Sequence, residues 1–262
     1  MAYYNELFTT NQPTKFSKMI QAVQPKVTPS MNQALARGFT GAKVKLALKQ
    51  MYPLKVPRLD GMPSLFFQQF WVISGEVVTA MILNFLNHGN IPPDFNKTHI
   101  VLILKVKISK KVTNYRPISL CNVMYKIASK AIANRLNKIL PSIISDTQSA
   151  FVYGRLITNN ALVAFETMHH ISQKKGGKVR EMALILDISK AFDRVEWVCL
   201  DKIIEKLGFD ENWRKLIMQC VTTVTYSVKI MGCLGVISFQ LVESVKEILY
   251  HLISLFYVQR VS

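Results

Sequence analysis

Apolar residues recur along this chain at helical spacing in some stretches and in near-continuous runs in others. From Thr40, the positions Val44, Ala47, Leu48 and Met51 predict an amphipathic helix with Thr40 as cap and Pro53 as stop. Residues 56–63, VPRLDGMP, read as a turn. Ser64 to His88 is a long, strongly apolar helical pattern that Gly89 and the Pro92-Pro93 pair should end. THIVLILK is rich in β-branched residues and alternates poorly, as expected of a strand buried on both faces.

After a loop around Tyr115, a helix from Tyr125 to Leu140 places Ile127, Ala131, Ile132, Leu136 and Ile139 on one side, with Pro141 closing it. A further helix is predicted from Asn159 to about Ser172, followed by the basic, flexible QKKGGKVR. Then come a strand over Glu181 to Asp187, a helix to about Leu207, a turn at GFD and a helix that Asp210 could cap. TVTYSVKIM alternates like a half-exposed strand. Residues 1–39 mix Pro13, Pro25 and Pro29 with polar residues and predict an irregular arm of weak order. The mixture of strands and helices predicts an α/β (α+β) chain.

With 262 residues, half of them hydrophobic, the chain can bury one large core or two small ones. Its 33 basic residues against 16 acidic ones, a formal charge of +17, therefore belong to a folded protein and point to a polyanionic partner. Nucleic acid is favoured over a membrane surface. Cys121, Cys199, Cys220 and Cys233 lie far apart, without metal-ligand or disulfide spacing, and suit a reducing compartment. MAYYNELFTT lacks the features of a signal peptide, and no run of eighteen apolar residues occurs. The expectation is a nuclear or cytoplasmic protein with no membrane contact and no evident obligate protein partner.

Ten basic residues fall between Lys97 and Lys138 with no acid among them: Lys97, Lys105, Lys107, Lys110, Lys111, Arg116, Lys126, Lys130, Arg135 and Lys138. A solvated lysine-rich surface explains most of the helical ones. It explains less well Lys105, which follows an apolar strand, and Arg116, read as a loop arginine beside Tyr115. A guanidinium in that setting can bond two phosphate oxygens while stacking on the ring.

MALILDISKAFDRVEW runs five apolar residues into Asp187. A carboxylate at the end of a buried strand sits at the sheet edge, where α/β folds bind ligands, and it needs a cation beside it. Capping of the next helix explains Asp187 at least as well on the strand pattern alone. For Asp193, a surface ion pair with Lys190 or Arg194 is the preferred reading.

LDISKAFDRVEW resembles the first catalytic motif of reverse transcriptases of non-LTR (LINE-like) retroelements, especially the plant type. HIVLILKVKISKKVTNYRPISLCNVMYKIASKAIANRL resembles the fingers motifs of that family, and LPSIISDTQSAFVYGRLITNNALVAFETMH its next block. PLKVPRLDGMPSLFFQQFW resembles the stretch before them. The likeness covers roughly Thr40 to Met231, and several blocks in order make it more specific than any single motif.

The resemblance implies the fingers and part of the palm of a right-hand polymerase, over residues 40–236. It implies RNA-templated DNA synthesis from dNTPs, with RNA template and RNA:DNA hybrid as partners. Asp187 corresponds to the first metal-binding aspartate, with the backbone carbonyl of Ile188 assisting. Phe192 matches the aromatic under the incoming sugar, and Arg116 and Lys105 match residues that grip the triphosphate. Lys107, Lys110, Lys111, Lys126 and Lys130 fall to the nucleic-acid surface. The cofactor implied is Mg²⁺, as two ions roughly 4 Å apart that activate the primer 3′-OH and stabilise the pyrophosphate.

The family takes its other metal ligands from a later Ala-Asp-Asp hairpin, yet this chain has no adjacent Asp-Asp pair. Smaller departures are Leu104 in place of proline, Arg58-Leu59 in place of Gly-Pro, and Asn159 in place of aspartate. Past Gly235 the family expects a stretch like RGIRQGDPLSPYLF, where this chain reads FQLVESVKEILYHLISLFYVQRVS. Codons chosen for Leu241 onward, read one frame over, spell RGIRQGDP and then LSPYLFILCAEG, which is a compatibility test. Residues 237–262 are therefore expected to be a frameshifted, non-native tail, although VKEILYHLISLF also has the composition of an ordinary amphipathic helix. The expected whole is an incomplete polymerase, inactive as this chain. A non-catalytic nucleic-acid-binding protein and a plain structural domain with a solvated basic surface are the alternatives.

Overall fold

The structure, a computed structural model, describes residues 17–54, 61–104, 114–146, 148, 149, 152, 154–174, 182, 183, 195–230 and 233–236. Two helices occupy the second half of the expected arm: α1 (Ser17–Gln21) and α2 (Pro29–Ala36). Thr28 caps α2, its Oγ1 accepting the Met31 N–H at 3.3 Å, and Pro29 stands in the first turn, where its missing N–H costs no helical bond. Val23, Val27, Leu35 and Phe39 are all buried, so residues 17–39 are part of the core and not an irregular arm. The partners that fix them are distant in sequence. The N–H groups of Lys26 and Val27 donate to the Leu207 carbonyl at 3.0 and 2.9 Å, and Asn32 Nδ2 donates to that of Gly208 at 2.7 Å.

Helix α3 (Gly41–Lys49) forms where the apolar spacing places it and buries Val44, Ala47 and Leu48. Thr40 is its N-cap in backbone geometry, without a side-chain capping bond. The long helix expected over 64–88 is divided at Phe70 into α4 (Ser64–Gln69) and α5 (Trp71–His88). Gly89 ends α5 in the left-handed region at φ 74°, its N–H bonded to the Phe85 carbonyl at 2.8 Å.

Strand β1 (Thr98–Leu104) is buried only over its first three residues, and Ile103 and Leu104 are about half exposed, which corrects the expectation of burial on both faces. Tyr115–Cys121 forms strand β2 where a loop was expected. The sheet order is β2-β1-β3-β4, with β3 at Tyr226–Ile230 and β4 at Cys233–Val236. β1 pairs antiparallel with β2 from Thr98↔Cys121 to Leu104↔Tyr115, and parallel with β3 from Thr98↔Tyr226 to Val101↔Lys229. The buried His99 and Ser227, directly paired in that register, also join through Nδ1 and Oγ.

Helix α6 (Val123–Leu136) starts at Asn122, whose Oδ1 accepts the Met124 N–H at 2.9 Å. It stops short of Leu140, and Pro141 opens the short α7 (Leu140–Ile143) instead of closing α6, a position proline tolerates. α8 (Ile157–Gln173) buries none of its residues. Of the strand expected over 181–187, Met182 and Ala183 are described and are not in a strand; the rest of it and the start of the next helix lie outside the described residues. α9 (Trp197–Lys206) follows, then α10 (Glu211–Thr222), capped by Asp210 as its sequence predicts, with Oδ1 accepting from the Asn212 N–H at 2.9 Å. Arg214 ties α10 to α9 through Asp201 at 3.0 Å and Glu205 at 2.7 Å.

The described elements form a mixed helical and β fold whose core runs through α3, α5, α6, α9 and α10. The fully buried Tyr125 donates its hydroxyl to the Cys220 carbonyl and thereby joins α6 to α10. Burial, the largest influence, holds that phenol well above its ordinary pKa, so it remains a donor.

Candidate nucleic-acid interface

The antiparallel pair β1–β2 and the helix after it carry the described part of the basic run. Arg116 is exposed on β2, opposite Ile103, and belongs to a strand and not to the loop its neighbours imply. Leu104, the residue before Lys105, pairs with Tyr115, the residue before Arg116. Pro117 can stand in β2 because β2 is an edge strand, where a missing N–H need not break a ladder.

On α6, Lys126 and Lys130 stand one turn apart and are half-buried, in line with Asn134, whose Nδ2 donates to Gln50 Oε1 at 2.7 Å. This is the least buried line of a helix that otherwise buries ten residues. Lysines there can lay their stems on apolar surface and keep their ammonium groups in water.

Two members of the run do not serve such a surface freely. Lys97 lies 3.7 Å from Asp94. Arg135, which a solvated helix face would expose, is 9 % exposed. Its Nη1 donates to the Leu35 carbonyl at 2.7 Å, and its guanidinium carbon lies 3.2 Å from the centre of the Phe39 ring. Arg155, which the sequence reading passed over, is a staple of the loop before α8. Its guanidinium donates to the carbonyls of Ser145, Gln148 and Pro141 and to Asp146 Oδ1. Only the YGR turn around Gly154 could have hinted at it.

Asp187, Ile188, Phe192, Lys105, Lys107, Lys110 and Lys111, expected at the site, lie outside the described residues. Among the described residues, no group of three or more His, Cys, Asp or Glu side chains could hold a metal ion. No described helix is long and apolar enough to cross a membrane. The thiols of Cys121, Cys199 and Cys220 are buried and lie outside any disulfide, and burial pushes the Cys220 thiol up to about 12.

Residues 108–241 match the family described as reverse transcriptase (RNA-dependent DNA polymerase), a span of just over half the chain. The chain belongs to the reverse transcriptase family. It is 29% identical over 210 residues, 79% of its length, to the transposon TX1 uncharacterized 149 kDa protein of Xenopus laevis. It is 22% identical over 145 residues, 55% of its length, to the retrovirus-related Pol polyprotein from type-1 retrotransposable element R2 of Popillia japonica. The matches cover 16% and 20% of those two proteins, so this reverse transcriptase segment spans about a fifth or less of each relative. The β1–β2 pair, α6 and the β3–β4 pair thus lie wholly or partly within the family match.

Proposed function

We propose that this chain is the fingers and first part of the palm of a LINE-type reverse transcriptase of the plant kind. On this reading it binds RNA and RNA:DNA hybrid but does not polymerise DNA as the 262-residue chain. The observation that carries the reading is the family match over residues 108–241 in a sequence with no adjacent Asp-Asp pair. Asp187 and the Ile188 carbonyl would be the only family metal ligands present, and one carboxylate cannot fix two divalent ions. Those ions, in the intact family, activate the primer 3′-OH and stabilise the leaving pyrophosphate. Arg116 and Lys105 would face the triphosphate and Phe192 the sugar, with Lys107, Lys110, Lys111, Lys126 and Lys130 along the template and hybrid. A second reading, non-catalytic nucleic-acid binding through the fingers, is favoured by the acid-free basic run from Lys97 to Lys138.

The purified chain is expected to extend no primer on an RNA template with either Mg²⁺ or Mn²⁺. Template-dependent, dNTP-dependent extension by a clean preparation would overturn the inactive reading.

The tail expected over residues 237–262 is proposed to be frameshifted, with the fitted codons starting at Leu241. The family match ends at residue 241, and codons chosen for Leu241 onward are compatible with RGIRQGDP one frame over. A segment never selected to pack has no reason to agree with the fold around it. A cut belongs after Leu241 and not earlier, because β4, at Cys233–Val236, covers the edge of β3 from Ser227 to Ile230. That truncation should leave the thermal midpoint unchanged. A lost cooperative transition, or coding DNA in which no shifted frame restores the family stretch, would refute it.

A further inference from the structure

Where α2, the end of α5, α6 and α10 meet, the fold forms a cavity of about 580 Å³, open to solvent on one side and lined by Arg37, Asn87, Arg135, Asp210, Trp213 and Lys215, among others. Two buried donors on its lining side chains, Arg135 Nη2 and Trp213 Nε1, have no partner among the described residues. Arg135 is 9 % exposed and Trp213 4 %. Buried N–H groups are almost always bonded, and a buried cation without a counter-ion is costly. Arg135 has no carboxylate partner among the described residues. It spends one donor on the Leu35 carbonyl and stacks on Phe39, with the Trp213 ring centre 5.9 Å from its guanidinium carbon.

Several other polar side chains around the cavity are committed to structure. Asn87 exchanges two bonds with the Phe39 backbone, at 2.8 and 3.2 Å. Asn32 bridges the Gly208 carbonyl and the Asp210 N–H, at 2.7 and 3.0 Å. Asp210, the carboxylate on the lining, caps α10, and Lys215 pairs with Glu211 at 2.8 Å. The exposed Arg37 completes the cationic side. Positive charge is dense there: the nearby Lys43 ammonium is held below its ordinary pKa, first by burial and then by repulsion from Arg135, Lys138 and Arg37. Burial alone lowers Arg135 to about 10.

We propose that this cavity binds a phosphate group, which accepts from Arg135 and Trp213 and is balanced by Arg37. Several cations around one anion favour a dianion over a carboxylate, and a tetrahedral oxyanion can accept from donors that do not share a plane. The group could arrive as free phosphate or as the 5′-phosphate of a nucleotide. The proposal does not rest on the polymerase reading, because neither residue was assigned to the template surface.

The test titrates the full chain with inorganic phosphate, a 5′-nucleoside monophosphate, the matching nucleoside, acetate and chloride at matched ionic strength. Calorimetry, tryptophan emission and the thermal midpoint are the readouts. Phosphate should bind once per chain and raise the midpoint above the chloride control, with acetate weaker. Arg135→Met should weaken binding about tenfold or more, the loss of a charge-assisted hydrogen bond. Should that variant fail to fold, Arg37→Gln at the exposed position and Trp213→Phe, which removes the N–H together with part of the indole, should each weaken binding severalfold, with the thermal midpoint of the unliganded variant separating lost binding from lost packing. Binding by the monophosphate but not by its nucleoside or by free phosphate would assign the source to a nucleotide and support the site. Responses to free phosphate and to the monophosphate that both equal those of chloride or acetate, or binding that survives Arg37→Gln and Trp213→Phe unchanged, would overturn it and leave a hydrated cavity.

Discussion

Raising salt from about 50 to 200 mM should cost this chain on the order of a thousandfold in affinity for an RNA:DNA hybrid, if about six phosphates are neutralised. The estimate follows from released counter-ions, whose contribution scales with the number of phosphates contacted. Ten basic residues lie between Lys97 and Lys138, but Arg135 faces the core and Lys97 has Asp94 beside it. About eight remain for a surface, and the half-buried stems of Lys126 and Lys130 make full engagement of all eight too generous a count. Reversing Lys110, Lys111 and Arg116 to glutamate should flatten the log–log salt slope by about three. Reversing Lys174, Lys175 and Lys178 changes net charge by the same amount away from the proposed surface and should flatten it far less. Filter binding or anisotropy across a salt series reads both slopes. Equal losses from the two sets would mean that overall charge, and no defined surface, attracts the hybrid.

The elements legible in the sequence are those whose cause is local. Val44, Ala47 and Leu48 repeat at helical spacing and form the buried face of α3, and Asp210 caps α10 because an Asx side chain reaches the N–H two residues on. Illegible elements depend on partners far along the chain. Strand β2 contains Pro117, which argues against a strand until the sheet order shows that β2 is an edge. Val23, Val27, Leu35 and Phe39 are spaced by multiples of four, but Pro25 and Pro29 interrupt any single helix there, and the four are core because the turn at Leu207–Gly208 and the helices on either side of it come back to meet them. Burial of Arg135 was hidden for the same reason: nothing local distinguishes it from Lys130 or Lys138, and its partners are Leu35, Phe39 and Trp213. For the expected polymerase residues, the motif around Asp187 carried the family resemblance together with the blocks before it, and the match over residues 108–241 shows the family.

Phe85→Ala should be among the most damaging single changes in this chain, costing about 3–5 kcal/mol. The side chain is fully buried on α5, with its ring centre 5.5 Å from that of Phe95, which in turn lies 6.0 Å from Tyr125 of α6. Removing the ring therefore loses its own burial and opens a void in the aromatic chain that seats α6 on α5. Against a total stability of about 5–15 kcal/mol for a folded domain, that loss alone could unfold most of the population. Val72→Ala on the same helix is the control, because Val72 is 97 % exposed. It should shift stability by no more than about 0.5 kcal/mol, with the better helix propensity of alanine acting in its favour. Urea melts of the two variants compare them directly, with an unchanged slope for Val72→Ala. Small, equal shifts would show that α5 does not bury the face described. If Phe85→Ala folds at all, its hybrid binding should fall with the folded fraction and recover when low temperature or a stabilising osmolyte restores it, since Phe85 supports the helix that carries Lys126 and Lys130 without touching the ligand itself.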